Sequence, residues 1–299
     1  LSSDPHMGFE DSKISKNKWV DNVKDWRIKE LPDKDNEATK NILCDITNTS
    51  LRIDACERTL LESFLCNYTI NLFTCDESIL NQIVSPFEIY KTFWKFLTPK
   101  IYDCPVPWMN NPVLGAALPA YEIAAKANWL SMQMPLSDSN RKIALSLLKS
   151  AKYFTQPILP AKIKLKEPKS VQRRLLESCY MGQMVAKASY IFLRKLLEPK
   201  LQAGEDELEE YVDAFTRDLY EITLQSQISP IGCWPFVIVG AAATKKEHHE
   251  YLVWRLNNFA KAQNSKALFS VIAYLRSVWG EDINGHKIED GPGLDALLD

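Results

Sequence analysis

From Asp54 onward the apolar positions of the chain keep the spacing of an α-helix. In DACERTLLESFLCNYTINLFT, Leu60, Leu61, Phe64, Leu65, Tyr68 and Leu72 fall on the 3.6-residue period, and Asp54 stands where an N-cap belongs. PFEIYKTFWKFLTPKI repeats the pattern with Phe87, Tyr90, Phe93, Trp94 and Leu97, with Pro86 at the first helical position and Pro99 as the stop. The link from Tyr102 to Pro112 carries three prolines and cannot be helical throughout. In NPVLGAALPAYEIAAKANWLSMQ the helix is expected to restart with Asn111 as cap and Pro112 at its first position; the alanines allow close helix contact, and Pro119 predicts a kink.

DSNRKIALSLLKSAKYFTQ predicts a further amphipathic helix, capped by Asp138 or Ser139, and a loop from Pro157 to Pro168 follows. The longest helical stretch runs from about Ser170 to Leu197. Another, Glu205 to Gln227, gathers acids in its first turn, where the helix dipole favours them. GCWPFVIVGAAATKKEHHEYLVWRL supplies two more, with Thr244 as the cap of the second, and Asn264 caps a last helix ending at Trp279. No stretch alternates with period two between hairpin turns, and no repeat of fixed length recurs. The pattern therefore predicts an all-α fold, an irregular multi-helix bundle of stacked helical pairs without significant sheet. Its expected extent is residues 51–280. Residues 1–7 read as a vector-derived scar, 8–50 as a flexible or partly helical extension, and 281–299 as a weakly patterned tail.

Composition narrows the function classes. At 299 residues and 46% hydrophobic content the chain can build a large core. A net charge of −2 gives no broad attraction for nucleic acid or anionic lipid, so any DNA contact is expected from other residues than these. Seven cysteines lie scattered without a CxxC pair, which fits a reducing compartment better than zinc ligation or a disulfide framework. The longest apolar run, Cys233 to Ala243, is about half the roughly 20 residues needed to cross a bilayer, so no membrane span is expected.

Motifs for catalysis are missing: no GxSxG, P-loop, GxGxxG or aspartate-rich metal-diphosphate pattern occurs, so no catalytic residue is assigned and the chain is not read as an enzyme. KEHHEY draws a metal reading, but adjacent histidines point roughly 100° apart on a helix; a solvated face at a helix start accounts for them, and no metal ligand is assigned. Glu122 and Lys126 stand at i,i+4, as a surface-edge ion pair would, and Lys187 and Arg194 have stems long enough to snorkel. The functional alternative is that one of these charges lines a cavity and orients a ligand. Trp108, Trp129, Trp234, Trp254 and Trp279 pose the same choice between core filler and pocket wall.

SQISPIGCWPFVIVGAAATKKEHHEYLVWRLNNF followed by NSKALFSVIAYLRSVW resembles the C-terminal signature of the fungal-specific transcription factor domain, second type, which follows zinc binuclear cluster (Zn2Cys6) DNA-binding domains. The resemblance rests on Trp234, Pro235, Gly240, Val278 and Trp279, with LLESFLCNYTINLF similar to the family's opening helix and NNPVLGAALPAYEIAAKANWL to its small-residue helix. It covers about Leu51 to Trp279. The family commonly has an arginine nearer the start of the helix that here reads EHHEYLVWRL, which leaves open whether Arg255 takes that part.

The resemblance implies a nuclear, effector-sensing regulatory domain of a transcription activator or repressor. Its partners would be a small-molecule effector (a sterol, amino acid or pathway intermediate) and, in the full-length protein, a second copy as homodimer. DNA would be reached only through the cluster domain, where zinc would also reside, so no cofactor is expected in this segment. An effector pocket is expected to be bordered by Tyr121, Glu122, Trp129, Lys187, Cys233, Trp234 and Phe236, the aromatics giving contact area and Lys187 or Glu122 orienting a polar group. The competing expectation is a ligand-free helical scaffold for dimerisation or for docking to a chromatin or co-regulator complex.

Overall fold

The computed structural model describes residues 53–75, 77–161, 163, 167–226 and 232–298. The scar and extension expected over residues 1–50 lie outside the described residues. Among those described are nine α-helices and no strand: α1 Ala55–Phe73, α2 Pro86–Leu97, α3 Leu118–Ser131, α4 Asp138–Lys152, α5 Lys169–Leu197, α6 Asp206–Tyr220, α7 Cys233–Ala242, α8 Lys246–Gln263 and α9 Lys266–Val278. The fold is all-α, as the periodicity requires. An isolated antiparallel bridge joins Glu281 and Lys287.

Helix starts follow local chemistry. Asp54 closes a full capping box on α1: its carboxylate accepts from the Glu57 amide at 2.8 Å, and Glu57 accepts from the Asp54 amide at 2.9 Å. Ser85 caps α2, with Pro86 in its first turn. Five expectations shift. Ser137, not Asp138 or Ser139, caps α4, its hydroxyl accepting from the Asn140 amide at 3.2 Å. Asn111 and Pro112 do not open a helix: Asn111 closes a 3-10 turn, Pro107–Asn110, and a second 3-10 turn, Gly115–Ala117, leads into α3. Pro119 therefore sits in the first turn of α3, where its missing N–H breaks no bond and no kink is required. At α8 the cap position falls to Lys245, because the Thr244 hydroxyl is bound to Glu209 of α6. Asn264 takes the left-handed conformation (φ 51°) that ends α8, and Ser265 stands at the cap of α9.

α5 is the organising element. It packs on α3, α4, α6 and α7 and on the Gly115–Ala117 turn, and most of its residues from Glu177 onward are buried. Gly182 permits the last of these contacts, since a side chain there would begin 3.0 Å from the Ala116 carbonyl oxygen. α3 is buried nearly all round, which its run of alanines allows against α1, α4 and α5. α7 packs between α5 and α9. Beyond α9 the tail forms a 3-10 turn, Gly293–Leu297, that buries Leu294 and Leu297 and packs on α7 and α9. Lys195, at the far end of α5, holds it there: the fully buried ammonium donates to the carbonyls of Pro199 (2.6 Å) and Leu201 (2.9 Å) and pairs with Asp295. Among the described residues no helix is long and apolar enough to cross a membrane.

Candidate functional site

The seven residues expected to border a pocket are distributed over several helix seams. Trp234, 2% exposed, donates its indole N–H to the Asn128 side-chain oxygen at 3.0 Å, and Asn128 in turn donates to the Thr69 carbonyl at 2.7 Å, so one amide ties α7, α3 and α1 together. Phe192 of α5 meets the Trp234 ring edge-on at 6.2 Å. Tyr121 is fully buried in the same region, beside Cys66 and near Cys233; burial pushes its phenol well above the ordinary range, pushes the Cys66 thiol up to about 11 against the Tyr121 hydrogen bond, and raises Cys233. Phe236 points to another seam, edge-on to Phe215 of α6 at 5.7 Å. Trp129 is half-buried at the end of α3.

The charged members have protein partners. Glu122 and Lys126 do pair, at 2.6 Å, but in the interior: both side chains are about 1% exposed, so the expected surface edge is corrected. Trp94 donates to the second Glu122 oxygen at 2.8 Å, and the Lys126 ammonium lies 5.1 Å from the centre of the Phe87 ring. Lys187 pairs with Asp218 across the α5–α6 seam; burial raises the Asp218 carboxyl, with Lys187 opposing. Arg194 does not simply snorkel but joins Glu198, Glu205 and Glu207.

The Trp-Pro to Val-Trp signature works as an internal clasp. Pro235 lies in the first turn of α7. A methyl at Gly240 would run into the Leu275 side chain of α9, and the Gly240 carbonyl accepts the Trp279 indole N–H at 2.8 Å. His249 stacks flat on Trp279 with ring centres 3.8 Å apart. The histidine pair is thus not a solvated face. His248 is 8% exposed and reaches Asp213 at 2.8 Å, while His249 contacts the Ala243 carbonyl and Glu281. With Glu209, Asp213 and His248 bring three candidate metal ligands within 4.8 Å of one another, across helices rather than along one. Lys245 already pairs with both carboxylates of that cluster, lying 3.1 Å from Glu209 and 3.4 Å from Asp213.

A differently built place lies at the N-terminal end of α5. Ser170, Arg173, Arg174 and Glu177 share one stripe of the helix, at spacings of three, four and seven. Together with Thr223 and Gln225 of the turn after α6 they line an open groove of about 400 Å³. Glu177 forms its floor: the buried carboxylate accepts from the Thr223 amide (2.9 Å), the Thr223 hydroxyl (2.6 Å) and the Ser226 hydroxyl (2.7 Å). α8 holds the same turn from the other side. Arg255, 5% exposed, donates to the carbonyls of Leu219 and Ile222, and Gln263 donates to the Ser226 carbonyl at 2.7 Å. Burial pulls the Arg255 pKa down. Sequence reasoning missed Asn128, Glu177 and the groove, because nothing in the spacing of one helix tells which turn of another will meet it.

No curated protein and no solved structure gave a significant match. A family model described as the fungal specific transcription factor domain matches residues 118–290, from the first residue of α3 to beyond the Glu281–Lys287 bridge. The resemblance drawn from sequence began earlier, near Leu51, whereas the match leaves α1 and α2 outside and takes in most of the tail. Since it spans more than half of the 299 residues and contains the Trp234–Trp279 clasp, the chain belongs to the fungal specific transcription factor domain family.

Proposed function

We propose that this domain senses a small-molecule effector and passes its occupancy to a transcription regulator. Membership makes the chain part of a transcription regulator, in a family that is not enzymatic. The finer reading, sensing, is supported above all by the groove of about 400 Å³ beside α5, a size that suits a metabolite, set against a turn clasped by Glu177 from one side and by Arg255 and Gln263 from the other. A ligand that favours one arrangement of that clasp shifts the balance between two states of α6 and α8 by its difference in affinity. Of the seven residues expected from the sequence, six then take a supporting part: Tyr121, Cys233, Trp234 and Phe236 stiffen the interior, and Glu122 and Lys187 hold seams through their own partners. DNA contact falls to a zinc-cluster domain outside this chain, and the site of action is the nucleus.

One observation favours a second reading. Tyr220 and Trp254 are exposed by 76% and 52%, and the Trp254 ring lies 6.1 Å from the half-buried Tyr251, an aromatic surface of the kind protein partners use. Thermal denaturation against a panel of sterols, amino acids, and phosphorylated and carboxylated intermediates separates the two. Sensing requires a concentration-dependent rise in Tm for at least one compound, following RT ln(1 + [L]/Kd). A flat panel together with self-association by light scattering would leave the scaffold.

A further inference from the structure

We infer that the groove at the start of α5 is a binding site for a small oxyanion, a carboxylate- or phosphoryl-bearing molecule gripped by Arg173 and Arg174. Among the described residues the buried lysines and arginines are engaged: Arg58 by Glu62 and backbone carbonyls, Lys126 by Glu122, Lys195 by Asp295, Arg255 by the end of α6. What sets Arg173 and Arg174 apart is that both border the groove; they are exposed and, like other surface cations such as Lys149 and Arg217, make no ion pair or side-chain hydrogen bond among the described residues.

The reason lies in Glu177. It stands four residues after Arg173, the spacing at which an exposed helical pair forms, yet its carboxylate is turned inward and its acceptor sites are taken by Thr223 and Ser226. The two guanidinium groups are left beside an open volume whose other edges are Ser170, Thr223 and Gln225 and whose floor is the Glu177 carboxylate, a single negative charge set against two positive ones. Pro168 offers no side-chain cap to α5, so the positive end of a 29-residue helix dipole adds to the same side. Forked donors beside hydroxyl and amide groups are the chemistry that recognises carboxylate and phosphoryl oxygens. About 400 Å³ admits a metabolite-sized molecule, and a net charge of −2 gives no wider field to attract a polyanion.

This assignment gives a ligand class to the sensing reading and rests on it for biological meaning. Its test is isothermal titration of the 299-residue chain with inorganic pyrophosphate and, separately, with citrate, with duplex DNA as a third titrant. One of the two small anions is expected to bind saturably with one site per chain. Arg173→Gln and Arg174→Gln should each weaken it about tenfold or more, and the double variant should abolish it. Lys149→Gln, an exposed charge change on α4, should leave it intact, and the melting curves of all variants should superimpose. No saturable binding of either anion by the folded chain overturns the proposal, and so does binding that survives in the double variant. Duplex DNA bound more tightly than both anions and lost in the same variant also overturns it, making the groove a phosphate-backbone contact. Should both anions fail while a neutral compound raises Tm in the thermal panel, the sensing reading stands without this site. Should the anion bind through the two arginines while regulated transcription in vivo ignores the double variant, the site stands and sensing falls.

Discussion

The α1–α3–α7 seam around Trp234 and the first turns of α5 dispose of their polar groups in opposite ways. At the seam one amide, Asn128, satisfies both the Trp234 indole and the Thr69 carbonyl, and the nearby Glu122 charge is matched by Lys126 and Trp94. At the α5 end the carboxylate that could have matched an arginine is spent on the Thr223–Ser226 turn, and two cations face open space. Buried polar groups left unpaired are costly, so the first region has a single tolerated arrangement; exposed cations cost little, so the second is free to serve something else. Of the residues that mark the family in the sequence, Trp234 lies in the first region and Gly240 and Trp279 join the other face of α7 to the end of α9. Their legibility reflects packing demand, and a ligand site is better sought where side chains have been left over.

The sharpest way to break this contrast is at Trp234. Trp234→Ala should cost about 3–5 kcal/mol in urea denaturation, through lost burial and the cavity left against Phe192. Asn128→Leu keeps the volume but strands the indole N–H, and a loss of about 1–3 kcal/mol is expected. Gly240→Ala, which drives a methyl into Leu275, should cost a similar amount, about 1–3 kcal/mol, and should lengthen or break the Trp279 hydrogen bond as read by indole 15N shifts.

Smaller effects are expected where the partners are wet. Asp295 has its carboxyl pKa lowered, first by the Lys195 hydrogen bond. A carboxyl whose folded pKa lies below its unfolded value adds stability at pH above the unfolded value, about 3.9, and that share is lost as pH falls through the folded one. Asp295→Asn should therefore flatten the acid limb of the stability profile. Because Asp295 is half exposed, its contribution at neutral pH should stay below about 1 kcal/mol. Arg173→Gln and Arg174→Gln complete the series, each expected within about 0.5 kcal/mol of the parent protein in the same denaturation experiment. A large loss there would mean that the two arginines are structural after all, and the contrast would close.

How much of this the sequence disclosed depends on the range of the forces involved. Periodicity located the helices, since burying one face is enough to set the register of apolar residues, and Asp54 and Pro86 were readable because capping is local. Asn111 and Pro112 misled for the same reason: the pair looks like a helix start, but the Asn111 side chain is used by Arg58 and by the Gly115 carbonyl, and α3 begins six residues beyond Pro112. The i,i+4 spacing of Glu122 and Lys126 is the same whether the pair faces water or Trp94 and Phe87, so only the position of α2 decides. His248 and His249 were read as a solvated face at a helix start, but both find partners on other elements, which no spacing along one helix foretells. The groove depends on a turn some fifty positions downstream of Arg173 and was beyond the reach of any local pattern.

α5 has a consequence of its own. Arg173 near its beginning and Lys195 near its close lie about 33 Å apart along a continuous helix, taking 1.5 Å per residue. Such a rod is stiff lengthwise, since every turn is closed by backbone hydrogen bonds. The helix that carries the two guanidinium groups is thus the same stiff element whose other end fastens Asp295, with no joint between the groove and that anchor.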